Sequence, residues 1–479
     1  MRRTKIICTI GPAVHSQAAL EKLLASGMDA ARLNFSHGTY AEHAQAIEWL
    51  RTASTQVGRA IAIIGDLQGP KIRTGNNRNG EPIELRPGQQ LVITTDPVEG
   101  TVERISTTYP HFAEDVHPGD RILLDDGQLE LQVLSTDGAR QVLTEVVLGG
   151  PLGAHKGMNM PGVRLRAEAL TPKDKADLEF ALQAGVDYVA LSFVRRPEDI
   201  ALARQSMERA GRVVPLIAKI EKPEALANLD AIFDVTDGVM VARGDLGVEI
   251  TPEQVPVIQK EIIRRCNRRG LPVIIATQML NSMIEHPRPT RAEASDVANA
   301  IFDCADAVML SGETASGRYP IEAVTMMDRL VCAVEEQMAK EQPKAPPEPI
   351  TFPAAFPEVT CSIACRAARE SGATLIAAFT MSGLTVRLLS HFRPSVPVVA
   401  FSPIQEVRRR IALLWGALPR IMEPLPTTEA LVKRVEEDLL SSGLAQPGDR
   451  VVIVFGAPLV LGSPTNSIRL HQLPLSPLP

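Results

Sequence analysis

Two short stretches carry residues whose types and spacing could do chemistry: Ile217-Ala218-Lys219-Ile220-Glu221 and, downstream, Val241-Ala242-Arg243-Gly244-Asp245-Leu246-Gly247. Each begins as an apolar run of strand length and ends in charge. Lys219 and Glu221 stand two apart, so on a strand they share one face. Apolar strands that end in charged residues are what an α/β enzyme needs at the carboxyl end of its sheet. For one such run, a strand ending in a solvated turn is an equally good reading. The pattern recurs, however. Arg32, Asn34 and Ser36 alternate along one run, another ends in Asp66, and later runs end in Thr277 and in Ser311 and Glu313. Cations (Arg32, Lys219, Arg243) beside acids (Asp66, Glu221, Asp245, Glu313) suit a hard divalent metal and phosphate oxygens. Gly244 and Gly247 around Asp245 let backbone N–H groups face an anion where a short helix begins. No His-rich or Cys-rich ligand set is present, which argues against zinc. Together these residues point to metal-assisted chemistry on a small phosphorylated anion.

The elements that must position them follow from the alternation of strand-like and helix-like patterns. Strand-like runs at 5–9, 30–36 and 60–67 alternate with helical stretches at 17–26 and 40–54. A β-α-β order implies parallel strands with right-handed crossovers. From about Pro70 to Arg166 turn signals crowd in (Arg86-Pro87-Gly88, His117-Pro118-Gly119-Asp120, Asp125-Asp126-Gly127) between short β-rich runs, with no convincing helix. The α/β alternation resumes at Thr171, with strands expected at 188–194, 215–221, 238–245, 272–279 and 307–313. Three strands before the insert and five after it make the eight of a closed (β/α)8 TIM barrel. The predicted organisation is a catalytic barrel over 1–69 and 167–341, an inserted all-β lid of β-barrel type over 70–166, a proline-rich linker over 342–357, and a C-terminal open α/β regulatory domain over 358–479. In that last domain helices are predicted at 359–371, 384–392, 405–414 and 428–442, and strands at 374–380, 396–401, 450–455 and 467–473.

Composition bounds the function class. The 479 residues are too many for one core. A net charge of -6 and only 4% aromatics argue against a nucleic-acid partner. The six cysteines form no CxxC pair and read as buried thiols. No run approaches a membrane span, and the apolar run 6–10 is broken at Gly11-Pro12, too short for a signal peptide. The expected compartment is the cytoplasm, with no membrane partner.

Specific motifs then resemble one family along essentially the full chain: Lys5 to Pro12 (KIICTIGP), Arg32 to Gly38 (RLNFSHG), Gly69 to Gly75 (GPKIRTG), Lys156 to Gly162 (KGMNMPG), Lys219-Ile220-Glu221, Gly238 to Glu249, Ala276 to Leu280 (ATQML) and Met309 to Thr314 (MLSGET). They are similar to the pyruvate kinases. The resemblance implies transfer of the phosphoryl group of phosphoenolpyruvate to ADP, giving pyruvate and ATP. It implies Mg²⁺ (or Mn²⁺) held by Glu221 and Asp245, with Lys219 and Arg32 on the transferred phosphate. The substrate carboxylate would meet Thr277 and the amides of Ala242, Arg243, Gly244 and Asp245. A water near Thr277 and Ser311 would protonate the enolate. His37, Arg73 and Lys156 would face the nucleotide.

The resemblance also bears on regulation. The loop Thr380-Met381-Ser382-Gly383-Leu384-Thr385 reads equally as a Ser/Thr helix cap or a phosphate cradle. In the family the matching loop binds the phosphate of an allosteric effector, a sugar phosphate or a nucleotide, and the assembly is usually a homotetramer. Most members hold K⁺ near the positions of Asn34, Ser36, Asp66 and the carbonyl of Leu67. Here Leu67, Gln68 and Lys71 match the K⁺-independent subgroup of bacterial type, in which the lysine ammonium replaces the ion, although Thr74 departs from that pattern. Two rivals are another metal-dependent phosphoenolpyruvate or pyruvate barrel enzyme, which would lack the lid, and a non-catalytic sugar-phosphate sensor, which would have lost Lys219, Glu221, Asp245 or Thr277.

Overall fold

A computed structural model of the chain describes residues 2–166, 168–340, 355–457 and 463–475. Eight parallel strands close a barrel in chain order: β1 (Lys5–Thr9), β2 (Ala30–Asn34), β3 (Ala62–Asp66), β4 (Tyr188–Leu191), β5 (Leu216–Ile220), β6 (Gly238–Ala242), β7 (Val273–Ala276) and β8 (Ala307–Leu310). β8 pairs back on β1, with Lys5 opposite Ala307 and Cys8 opposite Leu310. The runs are almost wholly apolar because helices cover one face and the barrel interior the other. The helices between them carry their own start signals. Thr39, Thr171 and Thr290 each accept a hydrogen bond from the amide three residues ahead, and Glu42, Asp174 and Glu293 return one to the cap.

The barrel strands end earlier than the sequence suggests. β6 stops at Ala242, and Arg243–Glu249 is a short helix. β7 stops at Ala276, and β8 at Leu310 ahead of the Gly312–Ala315 turn of helix. Arg243, Asp245, Thr277 and Glu313 therefore lie in the turns just past the strands. Thr277 and Gln278 mark the break, with φ of 69° and 55°. That region is sparsely allowed and an outlier for a β-branched residue such as Thr277.

The amino end of the barrel is built on a repeat. Asp29, Asp187, Asp237 and Asp306 immediately precede β2, β4, β6 and β8. Each carboxylate accepts the N–H of a residue at the start of the preceding strand, from Ile6, Ile63, Leu216 and Val273, at 2.8–2.9 Å. Each also pairs with an arginine: Arg2 at 2.7 Å, Arg51 at 2.8 Å, Arg204 at 2.7 Å and Arg393 at 2.9 Å. The first three arginines come from the barrel chain, and Arg393 comes from the C-terminal region. Ala412 and Leu413, also from that region, join Ile7, Ile64, Tyr188 and Met240 in the interior apolar cluster, and the Tyr188 hydroxyl donates to the Arg410 carbonyl. The barrel floor is thus made by residues far down the chain.

Between β3 and β4 lies a six-stranded sheet in the order Met158–Asn159, Arg121–Leu124, Leu129–Thr136, Gln141–Leu148, Gln90–Thr94, Arg104–Ser106, with a separate ribbon of Ile83–Leu85 and Gly150–Leu152. The sheet is open, where a closed β-barrel was expected. A one-turn helix, Phe112–Asp115, also interrupts the β pattern and buries Phe112 in the insert's core.

The C-terminal sheet has five strands: β9 (Leu375–Phe379), β10 (Val398–Ser402), β11 (Ala417–Ile421), β12 (Arg450–Phe455) and an antiparallel β13 (Ser467–Gln472), ordered β11-β10-β9-β12-β13. β11 was not expected from its sequence, because Pro419 and Arg420 argue against a strand. It lies at the sheet edge, where proline is tolerated. Of the expected linker, residues 342–354 lie outside the described residues, and Phe356 already opens the helix Phe356–Ser371. Among the described residues no helix is long and apolar enough to cross a membrane.

Candidate active site

At the carboxyl ends of the strands, four predicted residues form one continuous chain of charge. Arg32 Nε lies 2.6 Å from Asp66 Oδ2. Lys219 Nζ lies 3.3 Å from Asp66 Oδ1 and 2.9 Å from Glu221 Oε1. Asp66 and Glu221 are almost completely buried and Lys219 nearly so. Burial works most strongly against the Lys219 ammonium, but Asp66 and then Glu221 outweigh it and hold its pKa above the ordinary lysine value. Burial likewise pushes the Asp66 carboxyl up, and Lys219 and Arg32 reverse this and keep it below the usual carboxylate range. Glu221 goes the other way. Burial, reinforced by the charge of Asp245, outweighs Lys219 and raises it. Among the described residues, the buried Asp66 Oδ1 and Glu221 Oε1 face only the Lys219 ammonium and accept nothing further.

Asp245 sets a like charge beside Glu221, and the pair could hold a cation. Glu221 and Asp245 offer oxygen donors only, the set that suits Mg²⁺ with substrate oxygens and waters completing its shell. Among the described residues no cluster of three or more His, Cys, Asp or Glu forms a ready-made metal cage. A site shared with a substrate would look like this.

Opposite, the Arg243–Glu249 helix presents its first turn. The Gly244 N–H donates to Thr277 Oγ1 at 2.8 Å, and Thr277 Oγ1 donates to the Ala276 carbonyl at 2.6 Å. A Cβ on Gly244 would stand 3.4 Å from that hydroxyl oxygen, so the approach is close. Arg243 does not turn to the charge chain. Its Nη1 binds both oxygens of Asp296, at 2.8 and 2.6 Å, and its Nη2 the Thr277 carbonyl, so its side chain braces the β6 and β7 loops. Glu313, expected among the acids at the mouth, accepts the amides of Leu280 and Ser311 and serves the backbone. Ser311 Oγ is buried without a partner among the described residues.

The lid side adds cations. Pro70 to Arg73, Asn159 and Asp126 line a cleft of about 140 Å³ that also reaches Asp245. Lys71 is exposed. His37 is lowered first by partial burial and then by the charges of Lys71, Arg73 and Arg32, which places all three around it. Lys156 pairs with Asp125 within the lid at 3.0 Å. Asn34 Oδ1 accepts the Ser36 amide at 3.2 Å. The Leu67 carbonyl accepts Ser192 Oγ at 2.7 Å, and Ser192 Oγ in turn accepts Lys219 Nζ at 2.7 Å. Ser192 follows β4 directly and was missed in the sequence. It stands level with Lys219, one residue past the pair of Leu191 and Ala218.

In the C-terminal sheet, Thr380 to Thr385 connect β9 to the helix Leu384–His391. Thr380 Oγ1 accepts the Gly383 N–H at 2.9 Å, Ser382 is exposed, and Thr385 Oγ1 meets Thr465 Oγ1 at 2.6 Å. Gly383 has φ +90°, which L side chains rarely adopt. Thr380, Ser382, Thr385 and Thr465 line a cavity of about 640 Å³.

Comparison with known proteins supplies an independent reading. Residues 1–324 match the family model described as pyruvate kinase, barrel domain, and residues 358–471 that described as pyruvate kinase, alpha/beta domain. The chain is 48% identical to a pyruvate kinase of Mycobacterium intracellulare over 98% of each chain. It is 46% identical to one from Corynebacterium glutamicum, again over 98% of each chain. A crystal structure of a pyruvate kinase from Cryptosporidium parvum superposes with a TM-score of 0.90 at 36% identity, covering 99% of this chain and 96% of that one.

Proposed function

Because this chain belongs to the pyruvate kinase family, and so transfers the phosphoryl group of phosphoenolpyruvate to ADP, we propose that the chain of charge from Arg32 through Asp66 and Lys219 to Glu221 is where the transferring group sits. The supporting observation is the buried Lys219 ammonium held between two carboxylates. Phosphoryl transfer passes through a loose, charge-spread transition state, so positioning and electrostatics do most of the catalysis. Lys219 neutralises the equatorial oxygens, and Arg32, aimed by Asp66, binds the same phosphate. Glu221 and Asp245 would hold the divalent cation, which would supply charge neutralisation at the phosphate. The substrate carboxylate takes the Gly244 and Asp245 amides and displaces Thr277 Oγ1 from the first of them. When the phosphoryl group leaves for ADP, the enolate carbon needs one proton, and a water beside Thr277 and Ser311 is placed to give it. His37, Arg73 and Lys156 hold the nucleotide under the lid.

A lactate-dehydrogenase-coupled assay with phosphoenolpyruvate, ADP and Mg²⁺ tests the reaction. Glu221→Ala and Asp245→Ala should each abolish turnover while leaving the melting temperature nearly unchanged. Near-normal activity at ordinary Mg²⁺ would remove the metal assignment.

Three finer readings go with it. Lys71 replaces K⁺, since a tethered ammonium brings the same charge without the need to capture an ion. Its ammonium, which has no ion-pair partner among the described residues, and its position beside His37 support this. The Thr380–Thr385 loop binds the phosphate of an effector, and Ser382→Asp should abolish activation by any sugar phosphate or nucleotide that stimulates the parent. Unchanged activation would rule the loop out. The assembly is a homotetramer, which light scattering would contradict by returning the mass of a monomer or dimer.

A further inference from the structure

Glu249 ends the helix whose first turn holds Gly244 and Asp245. It is 7% exposed, and one of its oxygens, Oε1, accepts from two sides. Lys222 Nζ donates to it at 2.6 Å and Asn159 Nδ2 at 2.8 Å. Asn159 belongs to the lid strand Met158–Asn159, so this contact crosses from lid to barrel. Lys222 adjoins Glu221, and among the described residues Glu249 is its one ion-pair partner. The Lys222 ammonium also stands 5.5 Å from the centre of the Phe193 ring, within cation–π range.

Phe193 connects this contact to two further points. Its N–H donates to Glu221 Oε2 at 2.8 Å from a backbone held at φ 56°. Its ring lies against Gly69, the residue before Pro70, where the chain leaves the barrel for the lid. A Cβ at Gly69 would meet Phe193 Cδ2 at 2.6 Å, and Gly69 itself has φ +69°. The lid's docking contact, its hinge and the amide that orients Glu221 therefore meet in one small knot of Asn159, Glu249, Lys222 and Phe193.

We propose that Glu249, together with Lys222, is a lid latch and a positioning residue. The carboxylate holds Asn159 when the lid is down, and Lys222 and Phe193 carry that state to Glu221. The latch rests on the reading of the cleft as the space that holds ADP. The charges are arranged for the task. Glu249 neutralises Lys222, so a buried ammonium next to Glu221 does not compete for that carboxylate. Asn159 adds a hydrogen bond from an uncharged donor, which can break without leaving a charge unpaired.

The experiment is steady-state kinetics on Asn159→Ala, Glu249→Gln and the double variant, with ADP and phosphoenolpyruvate varied separately. Spin labels on lid and barrel report closure. Asn159→Ala should raise KM for ADP about tenfold, the scale of one hydrogen bond to a charged group. It should leave KM for phosphoenolpyruvate within twofold and lower the closed fraction at saturating ADP and Mg²⁺. Glu249→Gln should in addition lower kcat, on the order of tenfold, because Lys222 then loses its counter-charge beside Glu221. The double variant should fall short of the product of the single effects, since Glu249→Gln leaves Asn159 only a neutral acceptor and so weakens the contact that Asn159→Ala removes. Asn159→Asp, which sets carboxylate against carboxylate, should exceed Asn159→Ala. A KM for ADP that stays within twofold in Asn159→Ala, or single effects that multiply in the double variant, overturns the latch. If Glu249→Gln does not fold, the Asn159→Ala and Asn159→Asp pair decides alone. The parent enzyme is the control. A parent that does not turn over would sink the reaction assignment itself, whereas an active parent with silent variants sinks only the latch.

Discussion

The two ends of this barrel use the same ingredients, buried carboxylates beside cations, to opposite ends. At the base, Asp29, Asp187, Asp237 and Asp306 each take a backbone N–H of the neighbouring strand and one arginine. At the mouth, Asp66 Oδ1 and Glu221 Oε1 face a single ammonium, that of Lys219, which is shared between them, while Glu221 Oε2 takes the Phe193 N–H. A carboxylate tied to backbone is a structural fastener. One that keeps an oxygen tied only to a side chain, as Asp66 and Glu221 do through Lys219, can exchange that partner for a ligand. Glu313 shows that the distinction lies in the partners and not in the position, because it stands at the mouth and behaves like the base.

That contrast makes separable predictions. The largest effect should fall on rate. Lys219→Met should lower turnover on the order of 10³-fold or more, as loss of a transition-state cation does in phosphoryl transfer. Its KM for phosphoenolpyruvate should move far less. Collapse of binding with turnover preserved would make Lys219 a binding residue only. The next effect should fall on stability. Asp187→Ala should cost about 3 kcal/mol in a denaturant titration, the low end for stripping one partner from a buried pair, because Arg51 stays near solvent. The kcat of the folded fraction should stay within twofold, and a rate loss as large as that of a mouth variant would erase the distinction drawn here.

The third prediction sharpens the base. Burial holds the Lys5 amine down to about 8, while its Nζ donates to the Ala417 carbonyl at 2.7 Å. The folded pKa thus lies below the unfolded one, so folding is penalised at pH 7, and stability is regained as pH rises from about 8 toward 10.5. Between pH 7 and 9.5 the parent should gain about 2 kcal/mol relative to Lys5→Met. Parallel stability curves for the two proteins would show that Lys5 is neutral or solvated. The smallest effect concerns the mouth again. Turnover of the parent should rise less than tenfold on adding about 100 mM KCl at matched ionic strength. Lys71→Glu should acquire a K⁺ dependence. A parent that needs K⁺ would take Lys71 out of that role.

Much of the mouth could be read from sequence because its signal is local: an apolar run of strand length that stops at a charge. Arg32, Asp66, Lys219 and Glu221 were found in this way, and the structure brings them within ion-pair distance of one another. The strand count and the closed barrel follow from the same periodicity. The turns were harder. Arg243 and Asp245 look like strand residues in a period-two reading, and only the paired glycines hint at the helix they begin. Side-chain direction was not legible either. Nothing near Arg243 in the chain announces Asp296, which is held at 2.6 Å from across two elements. The base was missed altogether, although its four aspartates stand in related surroundings: Met28-Asp29-Ala30, Val186-Asp187-Tyr188, Thr236-Asp237-Gly238 and Ala305-Asp306-Ala307. The inserted β-sheet breaks the regular spacing that would expose a repeat, and an acid before a strand looks like an ordinary turn residue.

The floor of the barrel has a consequence for how the chain is made. Ala412, Leu413 and Arg393 complete the interior cluster and the fourth aspartate pair, yet they are synthesised long after β8. At translation rates of roughly 5–20 residues per second, the eight strands stand outside the ribosome for several seconds with their lower apolar layer uncovered. A nascent chain stalled in that window should recruit chaperones or pair with a neighbouring polysome product. Synonymous changes that slow decoding after β8 should therefore lower the soluble yield without altering a single residue.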